Sequence, residues 1–77
     1  MNGRFETRVA QICASLISEG HILVGSLPSG FYAFRHPNGR RLMVIADYPD
    51  IVIRERGRTI KSETVTPVYP SRNKPEV

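Results

Sequence analysis

At 77 residues the chain has room for one domain and none for a second, and its core must be thin. Hydrophobic residues at 40% and charged residues at 23% exclude a wholly disordered chain. The formal charge of +4 favours acidic or polyanionic partners, and the lone cysteine excludes an internal disulfide and a four-cysteine zinc site. No apolar run approaches the ~18 residues of a membrane span, and the opening MNGRFETRVAQ lacks the apolar stretch of a secretory leader. A cytoplasmic protein is therefore expected.

In chain order, residues 4–19 read as an amphipathic helix. Phe5, Val9, Ile12, Cys13, Leu16 and Ile17 recur at three- and four-residue steps, with Arg4, Arg8, Gln11, Ser15, Ser18 and Glu19 on the other side. Asn2 is a candidate N-cap, and Gly20 suits the left-handed residue that ends a helix. Cys13 reads as a small buried hydrophobe. His21 to Val24 is a short β-like run, and residues 25–30 are expected as a loop, or as a short edge strand with a long turn. Phe31 to Arg35 is a strand by its aromatics.

His36-Pro37-Asn38-Gly39 is the most legible turn. A two-residue Asn-Gly loop would need an N–H from Pro37, which has none. A three-residue loop fits instead, with Pro37 supplying its fixed φ, Gly39 in a left-handed bulge and His36 opposite Arg40. Arg40 to Ala46 is the next strand. Residues 47–50 form a turn around Pro49, with Asp47 and Asp50 as turn-forming residues. Ile51 to Glu55 is a further strand, Arg56 to Arg58 a turn, and Thr59 to Thr66 a returning strand. The reading is thus one α+β domain over residues 1–67, an N-terminal helix packed on one face of a 3–5-stranded antiparallel β-meander, with a flexible C-terminal tail over 68–77.

Side-chain alternation carries this to function. With His36 opposite Arg40, Arg35 faces Arg41, Phe34 faces Leu42, Ala33 faces Met43, Tyr32 faces Val44 and Phe31 faces Ile45. Closing the next turn at Ala46 and Ile51 sets Val44 against Ile53 and Met43 against Arg54. One sheet face then carries Tyr32, Phe34, Leu42, Val44, Ala46, Ile51 and Ile53, and the helix is expected there. The other face carries Arg35, Arg41, Arg54 and Arg56, with Phe31, Met43, Ile45 and Val52 beyond them.

Three functions follow as expectations. The first is a non-catalytic protein-interaction module (an adaptor, an inhibitor or half of a homodimer) using Phe31, Met43, Ile45 and Val52, for a partner with an acidic rim or for a second copy. The second is a DNA- or RNA-binding module using the basic end of the sheet: Arg35, Arg40, Arg41, Arg54, Arg56, Arg58 and Lys61, relieved only by Glu55. The third and weakest is a nuclease with His36 as acid or base. His21 is expected to meet the last helical carbonyls. No cofactor or metal site is expected, since two distant histidines and one cysteine do not give ligand spacing, and no membrane association is expected.

Overall fold

The computed structural model describes residues 3–65; the proposed Asn2 cap and the expected tail over 68–77 lie outside them. Helix α1 (Gly3–Ser18) buries Phe5, Val9, Ile12 and Leu16. These positions keep to one narrow stripe. Ile17 follows Leu16 by about 100° around the helix, leaves that stripe and is 53% exposed, a correction to its expected place on the packed side. Cys13 sits on the shoulder of the stripe, half-buried against the core, and burial pushes its thiol pKa up.

The helix ends in a Schellman motif. Gly20 has φ 101°, its N–H donates to the Ile17 carbonyl, and the His21 N–H donates to that of Leu16 at 3.0 Å. Nδ1 of the buried His21 also donates to the Leu16 carbonyl, at 3.1 Å. The imidazole thus satisfies an orphan helix carbonyl, as expected of it.

Five strands follow as an antiparallel meander in chain order: β1 (Ile22–Leu27), β2 (Phe31–Arg35), β3 (Arg41–Asp47), β4 (Asp50–Glu55) and β5 (Arg58–Thr64). Each register pair derived above is present: Phe31–Ile45, Tyr32–Val44, Ala33–Met43, Phe34–Leu42 and Arg35–Arg41, then Met43–Arg54, Val44–Ile53 and Ala46–Ile51. At the proline turn His36 N–H donates to the Arg40 carbonyl and Gly39 N–H to that of His36, each at 2.8 Å. The segment 25–30 differs from the longer turn expected. The strand continues to Leu27, and Pro28, Ser29 and Gly30 close a second three-residue loop of the same Pro-x-Gly chemistry, with Gly30 at φ 108°. The last hairpin turns tightly on Arg56 and Gly57, both at positive φ, so Arg58 pairs with Glu55 inside the strand.

The core lies between the helix stripe and Phe34, Leu42, Val44, Ile51, Ile53 and Val65, with Tyr32 and Ala46 packed against it. Phe5 meets Tyr48 edge-on, ring centroids 5.1 Å apart, which closes one end. Arg8 on the helix donates two hydrogen bonds to the Glu63 carboxylate of β5, at 2.5 and 3.0 Å. Those bonds hold the Glu63 carboxyl below the usual carboxylate range. A lowered folded pKa means that the contribution is complete above the unfolded value near 4.5 and is lost as pH falls through the folded value. Glu63→Gln is expected to flatten the acid limb of stability below that value and leave its alkaline limb unchanged, as read by urea denaturation across pH. An acid limb identical to that of the parent chain would contradict a folding role for the pair.

Candidate interaction surface

Alternation along the ladders sends the side chains that do not face the helix to a second sheet face, and among the described residues no element covers it. Its rows run across the strands. At one end Arg35 stands opposite Arg41. The next row is Ala33, Met43, Arg54 and Thr59. The third is Leu27, Phe31, Ile45, Val52 and Ser62. The far end is Asp47 opposite Asp50, with Thr64 donating a 2.7 Å hydrogen bond to the Asp50 carboxylate. The face is therefore graded: arginines, a largely apolar middle that also holds Arg54, then aspartates.

A groove of about 880 Å³ opens between Val24, Phe31, Met43 and Ile45, and Arg35, Arg41, Arg54 and Arg56 line it too. Of the four apolar residues expected to form the interface, Phe31, Met43 and Ile45 line the groove and Val52 continues the row of Phe31 and Ile45. Met43 is 38% exposed and the other three are half-buried. The edge strand β1 contributes apolar surface that the sequence reading missed. A bulge between Leu23 and Gly25 turns Val24 into the groove, and Ile22 and Leu27 pair with Arg35 and Phe31 on the same side. Val24 and Leu27 are 54% and 57% exposed. A hint lay in the unbroken apolar run Ile22-Leu23-Val24, but its bulge is not encoded by alternation.

The structure divides the seven expected basic residues between two faces. Arg35, Arg41, Arg54 and Arg56 gather at the groove, where the Arg54 guanidinium donates to the Gly57 carbonyl. Arg40, Arg58 and Lys61 belong to the helix side, because Arg58 pairs with Glu55 and Lys61 with Ile53. Arg40 forms a bidentate ion pair with Glu55 at 3.0 and 3.1 Å, which holds the Glu55 carboxyl below its usual range. Glu55, the acidic residue within the basic segments, is thus engaged on the far face. Among the described residues, no carboxylate comes within ion-pair distance of Arg35, Arg41, Arg54 or Arg56, although the charge of Arg56 also helps to hold the Glu55 carboxyl low.

His36 also lies on the helix side. Its Nε2 donates to the Glu19 carbonyl at 3.2 Å, and its Nδ1 accepts from the Asn38 N–H at 3.1 Å. Its ring meets that of His21 edge-on, centroids 4.9 Å apart. With both ring nitrogens engaged by backbone, His36 fastens the hairpin turn to the helix end. Among the described residues, no three His, Cys, Asp or Glu side chains gather as metal ligands, and no helix is long and apolar enough to cross a membrane.

Compared with known proteins, the chain matches no family model, no curated protein and no solved structure.

Proposed function

We propose that this domain is a non-catalytic protein-interaction module that docks through the sheet face opposite its helix. The observation that carries the reading is the apolar groove on that face, built by Val24, Phe31, Met43 and Ile45 of three adjacent strands. A single helix covers one side of a sheet, and a sheet with apolar side chains on both sides is ordinarily covered on both. Arg, Met and aromatic residues are also the types enriched in interface cores.

A second reading, nucleic-acid binding, draws on the four arginines beside Phe31, which suit phosphates and a stacked base. Asp47 and Asp50 on the same face oppose it, since a strand running beyond the groove along the whole face would meet two carboxylates.

Met43→Lys separates these readings. It places a charge in the middle of the groove and leaves the helix-side core untouched. The protein reading expects self-association or partner capture to survive nuclease treatment and to fall at least about tenfold in Met43→Lys, with an unchanged circular dichroism spectrum. The nucleic-acid reading expects capture that nuclease abolishes, with an affinity that falls steeply as salt rises. Full retention of association in Met43→Lys would remove this face as the interface.

A further inference from the structure

We infer that the occupant of the open face is a second copy of this chain, stacked sheet on sheet about a two-fold axis that lies between the sheets and perpendicular to the strands. The inference rests on the reading of this face as a protein interface and adds the partner and its orientation.

The argument is the placement of charge. Arg41 and Asp47 stand at opposite ends of the open side of β3, separated by roughly 20 Å along the strand. Each end holds like charges in juxtaposition: Arg35 against Arg41 at one, Asp47 against Asp50 at the other. Like charges placed directly across a ladder repel, and among the described residues no ion of opposite sign pairs with these four. Between them the surface is largely apolar, with Arg54 its one charged side chain among the described residues and Thr59 and Ser62 at the β5 edge. Such a face complements itself in one orientation.

Two copies can meet face to face about an axis parallel to the strands or about one perpendicular to them. The parallel axis sets arginines on arginines and aspartates on aspartates. The perpendicular axis reverses the strand direction, lays β3 over β3, and brings Arg41 over the partner's Asp47 and Arg56 over the partner's Asp50. The same operation stacks the row of Phe31 and Ile45 on the partner's row of Ala33 and Met43. The bulky Phe31 ring then meets the small Ala33, as interdigitating inner faces of a sandwich require. Both like-charge clusters gain opposite charges, and each contact occurs twice, as an isologous interface demands.

The test is sedimentation velocity on the full chain over a concentration series, with circular dichroism as the control for folding. Arg41 and Asp47 are exposed, so reversing either leaves the core intact. Arg41→Asp alone and Asp47→Arg alone should each raise the dimer dissociation constant more than about tenfold. An equimolar mixture of the two variants should restore association, because each supplies the sign that the other lacks. A folded parent chain that stays monomeric at all concentrations overturns the dimer, while a groove-dependent complex with another protein would keep the broader reading. A dimer lost in Met43→Lys but indifferent to both reversals overturns the two-fold arrangement alone. A dimer indifferent to all three variants overturns both readings.

Discussion

Phe34→Ala is expected to lower the folding free energy by about 3–5 kcal/mol, among the largest effects of any single truncation in this chain. Phe34 is 1% exposed and, among the described residues, is one of three large side chains that are fully buried, with Val44 and Ile51. It sits on β2 directly opposite Leu42, and its ring packs in the layer between sheet and helix. Truncation removes the transfer term and leaves a cavity that a rigid sheet cannot collapse to fill. A chain of this size belongs near the lower end of the ~5–15 kcal/mol range of domain stabilities, so the loss would consume much of the total. Phe31→Ala on the same strand is the matched control. Its side chain points to the open face, and at protein concentrations too low for association it should cost less than half as much. Urea denaturation reads both. Equal losses would mean that the two faces of β2 are equally covered within one chain, which would also remove the open face on which the functional reading stands.

Gly30→Ala should be the most damaging of the glycine substitutions, at about 3 kcal/mol, and Gly39→Ala should cost about 1 kcal/mol. Both glycines close Pro-x-Gly turns with positive φ, 108° and 95°. Backbone strain is therefore common to the two substitutions. Their surroundings differ. A Cβ at Gly30 would lie 2.6 Å from the backbone carbonyl oxygen of Ala46, whereas one at Gly39 would meet nothing within 4 Å. Ala46 cannot retreat cheaply, because its N–H donates to the Gly30 carbonyl at 2.8 Å and its own strand is held between β2 and β4. The extra cost at Gly30 is the displacement of β3 from the loop. Thermal or urea unfolding of both variants gives the comparison, and equal destabilisation would show that strain alone, and no close approach, governs the first turn.

The parts of the fold that were legible depended on short-range rules. The turn at Pro37-Asn38-Gly39 is dictated by the missing proline N–H and the left-handed glycine, and it set the register of β2 on β3. From there, alternation alone separated Phe34, Val44 and Ile53 from Met43, Ile45 and Arg54. What escaped was of longer range or of finer geometry. The second Pro-x-Gly turn at residues 28–30 was hidden because the run before it contains Gly25 and Ser26, poor strand formers that pairing with β2 nevertheless holds in a strand. Val65 was not foreseen in the core, since nothing nearby in sequence shows that the chain beyond β5 returns to the helix side.

The candidate surface was half legible for the same reason. Phe31, Met43, Ile45, Val52 and four of its arginines follow from the parity of the two central hairpins. The division of the remaining basic residues does not. A bulge where Ile53 gives way to Arg54 shifts the pairing of β5, and Lys61 falls opposite Ile53 on the helix side. Arg40 is withdrawn by Glu55, a residue on another strand.

By itself, the sequence determined the helix, the order of the strands and which side chains share a face of the central hairpins, because periodicity and turn chemistry act within a few residues. Only the tertiary structure decided that Arg40, Arg58 and Lys61 leave the open face, that His36 is fastened to the helix end, and that β1 widens the open surface. Those outcomes depend on which strands become neighbours and where a bulge resets their pairing, and contacts between residues far apart in the chain are not encoded in any local pattern.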